Sequence, residues 1–173
     1  RLIVTHHHID HVGLAGWFQE RGAELWTSRT AWLMARMGVL DVQERPTPQA
    51  LAFWRTAGMP ADLLEERAHE RPFNASDVCA PLPPGYLRLS EGQQIRFGER
   101  RWTLRMGHGH APEHVTLWSL DDDLVIGGDQ MLATISPNLG VYPTEPGADT
   151  VGDWLESCAR LAAFAQPGQL VLP

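Results

Sequence analysis

The sequence predicts an α/β fold, and three features carry that expectation. The first forty residues alternate short apolar runs with amphipathic stretches in the order strand, helix, strand, helix. From Tyr86 to Ile126 five strand-like runs follow one another. Two clusters of histidine fall at the ends of strands, where α/β proteins place their chemistry.

Leu2-Ile3-Val4-Thr5 is short, branched and apolar, the pattern of a buried parallel strand. A helix is predicted from about His11 to Arg21, with Val12, Leu14, Ala15 and Phe18 facing inward and Gly22 ending it. Glu24–Thr27 reads as a second strand and Arg29–Val39 as a second helix. Residues 41–85 then change character. Helical segments near Pro48–Ala57 and Pro60–Glu70 are punctuated by prolines and lead into Pro81-Leu82-Pro83-Pro84-Gly85, which suits a lid or docking surface inserted into a domain spanning residues 1–173. Strands are expected at Tyr86–Leu89, Gln94–Phe97, Arg101–Met106, His114–Ser119 and Leu124–Ile126. A long loop from Asp129 to Gly147, a helix over Ala148–Phe164 and an apolar strand at Gln169–Pro173 complete the chain. Trp17, Trp26, Trp32 and Trp154 fall on faces expected to be buried. Natural termini seldom lie inside apolar strands, so the chain reads as a segment of a longer protein.

At 173 residues, 43% hydrophobic and 20% charged, the chain has the makings of a soluble domain with a proper core. No apolar run is long enough to span a bilayer. Its 21 acids against 14 bases give a net charge of -7. That balance argues against a broad phosphate-binding surface and so disfavours a nucleic-acid partner while leaving room for a local basic groove; a small-molecule substrate is the expected partner. Cys79 and Cys158 are too few for a disulfide framework, and free thiols make a cytoplasmic setting the default expectation.

Seven of the eight histidines lie in the two clusters; His69 stands apart. Residues two apart on an extended segment point the same way, so His6 and His8 can grip one ion while His7 points away from it. Asp10 and His11, where the chain turns into a helix, are offered to a second ion. Imidazole and carboxylate donors of this kind suit zinc, and also iron or manganese. The run is broken by Ile9 and Asp10 and sits behind a core-type strand, unlike a purification tag. In Gly107-His108-Gly109-His110-Ala111-Pro112-Glu113-His114, three histidines offer a further ligand for the first ion. The apolar strand Leu124–Ile126 ends in Gly127-Gly128-Asp129, and a carboxylate there can bridge two cations.

In order and spacing, Thr5-His6-His7-His8-Ile9-Asp10-His11, Gly109-His110-Ala111-Pro112-Glu113-His114 and Gly127-Gly128-Asp129 resemble the metallo-β-lactamase superfamily over nearly the whole chain. The resemblance implies an αββα sandwich with a two-metal site at one edge. His6, His8 and His110 would hold the first metal, Asp10 and His11 the second, and Asp129 would bridge them. Two zinc ions, with iron or manganese as substitutes, would activate the water nucleophile, and Asp10 is the candidate catalytic residue. His108 would be a loop residue facing solvent or substrate, and His114 a support for the ligands. The family's last metal-binding histidine would follow Leu170-Val171-Leu172-Pro173, where the sequence stops, so weak occupancy of the second site is expected.

Three positions narrow the branch that the resemblance implies. Oxygen-reducing flavodiiron relatives carry glutamate at the place of His8, true β-lactamases carry cysteine or another non-bridging residue at that of Asp129, and many lactonases place tyrosine at that of Leu132. What remains resembles the glyoxalase II-type hydrolases and their bacterial relatives, with an ester or thioester substrate. The alternatives are a phosphodiesterase or endoribonuclease of the lactamase-like branch, and a metal-binding domain without catalysis.

Overall fold

Alternation along the strands divides the apolar residues between layers, and this division builds the architecture of the computed structural model, which describes residues 1–173. Strands β1 (Leu2–Ile3), β2 (Leu25–Thr27) and β3 (Leu87–Arg88) form a parallel sheet in that order. Strands β4 (Gln94–Phe97), β5 (Arg100–Gly107), β6 (His114–Ser119) and β7 (Leu124–Ile126) form an antiparallel meander, to which β8 (Leu170–Leu172) adds in parallel beside β7. Successive side chains point to opposite faces of a strand. Ile3 and Trp26 therefore meet Leu104, Met106, Val115 and Leu117 in a core between the sheets. Leu2, Val4 and Leu25 point the other way and pack under helices. On the far side, Trp118 and Val125 pack against Leu161 of helix α6 (Thr150–Ala162). The result is the αββα sandwich.

The helical layer on the first sheet begins with α1 (Ile9–Val12) and α2 (Ala15–Glu20), followed by α3 (Arg29–Leu40). The sequence predicts one helix over His11–Arg21, but the structure has two. The Gly13 carbonyl accepts the Ala80 amide at 2.7 Å, outside the helical ladder, and the backbone steps aside at Leu14. Only Val12 and Ala15 of the predicted inner face are buried. Leu14 and Phe18 are exposed, because the step rotates α2. Trp17, also expected inside, is exposed, with the Arg21 guanidinium 3.8 Å above its ring. Gly16 touches the Pro81 backbone so closely that a Cβ would collide with it.

Helices α4 (Pro48–Thr56) and α5 (Ala61–His69) pack on one another, and only Leu64 among their residues is buried. Their ends are clasped by buried Asn74. Its Oδ1 accepts the Gln43 amide at 2.7 Å, and its Nδ2 donates to the Gln43 carbonyl at 3.1 Å. Residues 75–77 form a short 3₁₀ turn against α3. Of the predicted strand Tyr86–Leu89 only Leu87–Arg88 pairs, and β8 leaves all three of its apolar side chains exposed at the sheet edge. Cys79 is buried in the helical layer, Cys158 is half-buried, and neither is bonded. No helix is long and apolar enough to cross a membrane.

Candidate metal centre

Both sheets fix the segment that delivers the first histidines. The Val4 amide donates to Trp26 O at 3.0 Å, Thr27 Oγ1 donates to Val4 O at 2.8 Å, and the Val115 amide donates to Thr5 O at 2.8 Å. The chain leaves this anchor still extended at His8, whose carbonyl accepts the amides of His11 and Val12 at 3.0 and 2.9 Å. That turn starts α1 and lifts Asp10 and His11 beside the first pair. The second cluster is shaped by Gly109, at φ +95°, which lies against Trp154 of α6 with no room for a Cβ. After β7, Gly128 at φ +51° turns the chain so that Asp129 faces the histidines. A Cβ on Gly128 would approach His114 Cε1 to 2.8 Å.

Six residues converge. His6 Nε2 lies 3.1 Å from His8 Nδ1 and 3.2 Å from His110 Nε2. Asp129 Oδ2 is 3.3 Å from His110 Nε2 and 3.9 Å from His6 Nε2. The other oxygen of the same carboxylate, Oδ1, is 3.4 Å from His11 Nε2, which lies 3.6 Å from Asp10 Oδ2. Two donor groups result, His6-His8-His110-Asp129 and Asp10-His11-Asp129, each with its ligand atoms within 4.8 Å of one another. Asp129 belongs to both.

The protonation states suit a cation. Burial first, and then the imidazoles of His114, His11, His8 and His110, push His6 far below the usual histidine range. His8 is lowered too, by burial and then by His110, against the opposing pull of Asp10 and Asp129. His110 Nδ1 lies 3.0 Å from the Asn138 carbonyl, which can only accept, so the proton sits on Nδ1 and the Nε2 lone pair faces the cluster. His6 Nε2 faces two other ring nitrogens and has at most one proton to share, so hydrogen bonding alone leaves the contact poorly satisfied. A divalent cation fits this set of imidazole nitrogens and carboxylate oxygens.

The remaining histidines sit around this centre. His7 is half-buried beside the His8 ring, with its Nδ1 lacking a partner, and burial followed by His8 and His110 lowers its pKa to about 4. His108 lines a small pocket, where its Nδ1 accepts the Glu113 amide at 3.3 Å. His114 is wholly buried and stacks on His6 at 4.6 Å between ring centroids, its pKa lowered to about 3 chiefly by burial. Neither of its ring nitrogens has a partner, so it supports His6 by packing. The Asn138 carbonyl has no signature in the sequence, because a backbone acceptor is the same in every residue. A groove of about 660 Å³ opens beside the centre between α3, residues 72–75 and the 138–144 loop.

The pattern of the Metallo-beta-lactamase superfamily matches residues 1–167, and the chain belongs to that superfamily. It is 27% identical over 139 residues to the probable metallo-hydrolase YqjP of Bacillus subtilis (strain 168), a match covering 80% of this chain and 41% of that protein. A β-lactamase domain protein from Burkholderia ambifaria superposes with a TM-score of 0.85 at 33% identity, over 100% of this chain and 48% of the other. The metallo-β-lactamase family protein TTHA1429 from Thermus thermophilus gives 0.70 at 26% identity, over 92% of this chain and 50% of the other. The chain thus spans about half the length of these relatives.

Proposed function

We propose that the protein is a metal-dependent hydrolase of esters or thioesters, working with two zinc ions. The observation that carries this reading is the Asp129 carboxylate, which turns one oxygen toward His6 and His110 and the other toward His11. A metal bound there supplies a Lewis acid and lowers the pKa of water toward neutrality. His6, His8 and His110 would hold the first ion, and Asp10 and His11 the second. The Asn138 carbonyl keeps the His110 lone pair aimed inward. Asp10, whose side chain is 72% exposed, stands at the mouth of the site, where its carboxylate can take a proton from an approaching water. Water adds to the substrate's carbonyl carbon and the bond to the leaving oxygen or sulfur breaks. One proton passes to the leaving group, and the acyl product departs as a carboxylate. Residues 41–85 act as a lid over this edge of the sandwich.

The test is a panel of ester, thioester, phosphodiester and cephalosporin substrates offered to the metal-loaded protein. Thioester or ester turnover that is lost in Asp10→Ala and Asp129→Ala is expected. Turnover of RNA alone, or none at all with metal bound, would overturn the reading. The spaces beside the centre have no arginine among their lining residues to favour the phosphodiester alternative.

A further inference from the structure

Two spaces adjoin the metal centre, and they differ in chemistry. The groove of about 660 Å³ is walled by Met34 and Met37 of α3, by Phe73 and Ala75 beyond the Asn74 clasp, and by Pro143. Its floor at one end is His7, His8 and Asp10. Sharing His7, His8 and Met34 with the groove is a pocket of about 100 Å³ with Glu145 and Asp153 in its lining. The chain has no lysine, and none of its arginines lines either space. Two nearby ones are engaged elsewhere. Arg36 donates to the Leu82 carbonyl and lies over the Trp32 ring, and Arg71 pairs with Asp77 at 2.8 Å.

Away from the metal ions a polyanionic substrate would find no cationic side chain along this surface, and would lie beside Asp41, Glu145 and Asp153. An apolar chain would instead cover methionine and phenylalanine side chains that now face water: Met37 is 49% and Phe73 64% exposed. Two unbranched methionines give a wall that adapts to a flexible chain. We propose that the groove takes the acyl chain of an extended fatty ester or thioester, and that the acidic pocket takes a leaving group without negative charge. The proposal rests on the hydrolase reading.

The experiment compares binding of acetohydroxamate and octanohydroxamate to the zinc-loaded protein by calorimetry, alongside turnover of acetyl and octanoyl thioesters of neutral N-acetylcysteamine and of coenzyme A. Affinity is expected to rise about two- to fourfold per methylene that enters the groove. The octano-to-aceto ratio should fall at least about tenfold in Met37→Asp and in Phe73→Asp, each introducing a charge where the chain would lie. Both positions are exposed, so the fold tolerates the changes. The neutral octanoyl thioester should be preferred over its coenzyme A counterpart. Equal affinity for the two hydroxamates, an unchanged ratio in both variants, or preference for the coenzyme A thioester overturns the assignment. Chain-length-dependent binding without any turnover supports the groove and removes the hydrolase reading; turnover indifferent to chain length does the reverse.

Discussion

The carboxylate of Glu113 accepts the backbone amide of Thr30 at 2.8 Å, across 83 residues of sequence. Thr30 lies in the first turn of α3, where Ser28 already caps the Ala31 amide, so Glu113 satisfies a second orphan donor at the same helix end. Glu113 itself sits at φ +51°, between His110 and the buried His114. The loop that presents His110 is therefore tied to the helix that walls the groove.

Glu113→Ala is expected to destabilise the protein by about 1–2 kcal/mol, in the range of a lost helix cap, measured by urea denaturation. The pH dependence has a definite sign. Burial alone would raise the Glu113 pKa, but the hydrogen bonds from Thr30, with Arg88 and His108, bring it below the ordinary 4.5. Its contribution is present above the unfolded value of 4.5 and is lost as the pH falls through the depressed folded value. Glu113→Gln should flatten that acid decline while keeping part of the cap.

Gly128→Ala should cost about 1–3 kcal/mol, since the position sits at φ +51° and a Cβ would press on His114. The same change displaces Asp129, so metal affinity should fall with stability. Thermal melts with and without zinc separate the two effects.

Metal titration should resolve unequal sites, because one group offers four protein donors and the other three. His110→Ala should weaken the tighter site alone, and Asp129→Ala both, each by more than the roughly 10–100-fold that supporting residues contribute. Metal content after dialysis reads the outcome; equal loss at both sites in His110→Ala would contradict its place in one group alone, and loss at a single site in Asp129→Ala would contradict the shared role of Asp129.

Leu104→Ala, at a wholly buried position in the core between the sheets, should cost about 2–5 kcal/mol with no direct effect on the cluster. Asn74→Ala should cost about 1–3 kcal/mol by leaving the Gln43 amide without its buried acceptor, and should loosen α4 and α5 before the rest. Hydrogen exchange in residues 43–74 checks the second expectation.

The strands and the two donor clusters were legible because both rest on local repetition. Period-two alternation in Leu2–Val4 and Trp102–Met106 determines which side chain meets which layer, whatever lies across the sheet. The break between α1 and α2 was not legible. It depends on the Gly13 carbonyl finding the Ala80 amide, a partner that only the insertion brings there. The exposure of Trp17 follows from that same displacement.

By itself the sequence determined the α/β class and the histidines and carboxylates that could bind metal, because spacing along a strand or helix start sets direction; its three motifs carried the resemblance to the superfamily. Only the tertiary structure decided that Asp129 faces both donor groups, that Asn138 orients His110, and that an apolar groove without arginine runs from His8 past Phe73. These depend on segments far apart in the chain being packed together, and local propensity carries no record of what will stand opposite.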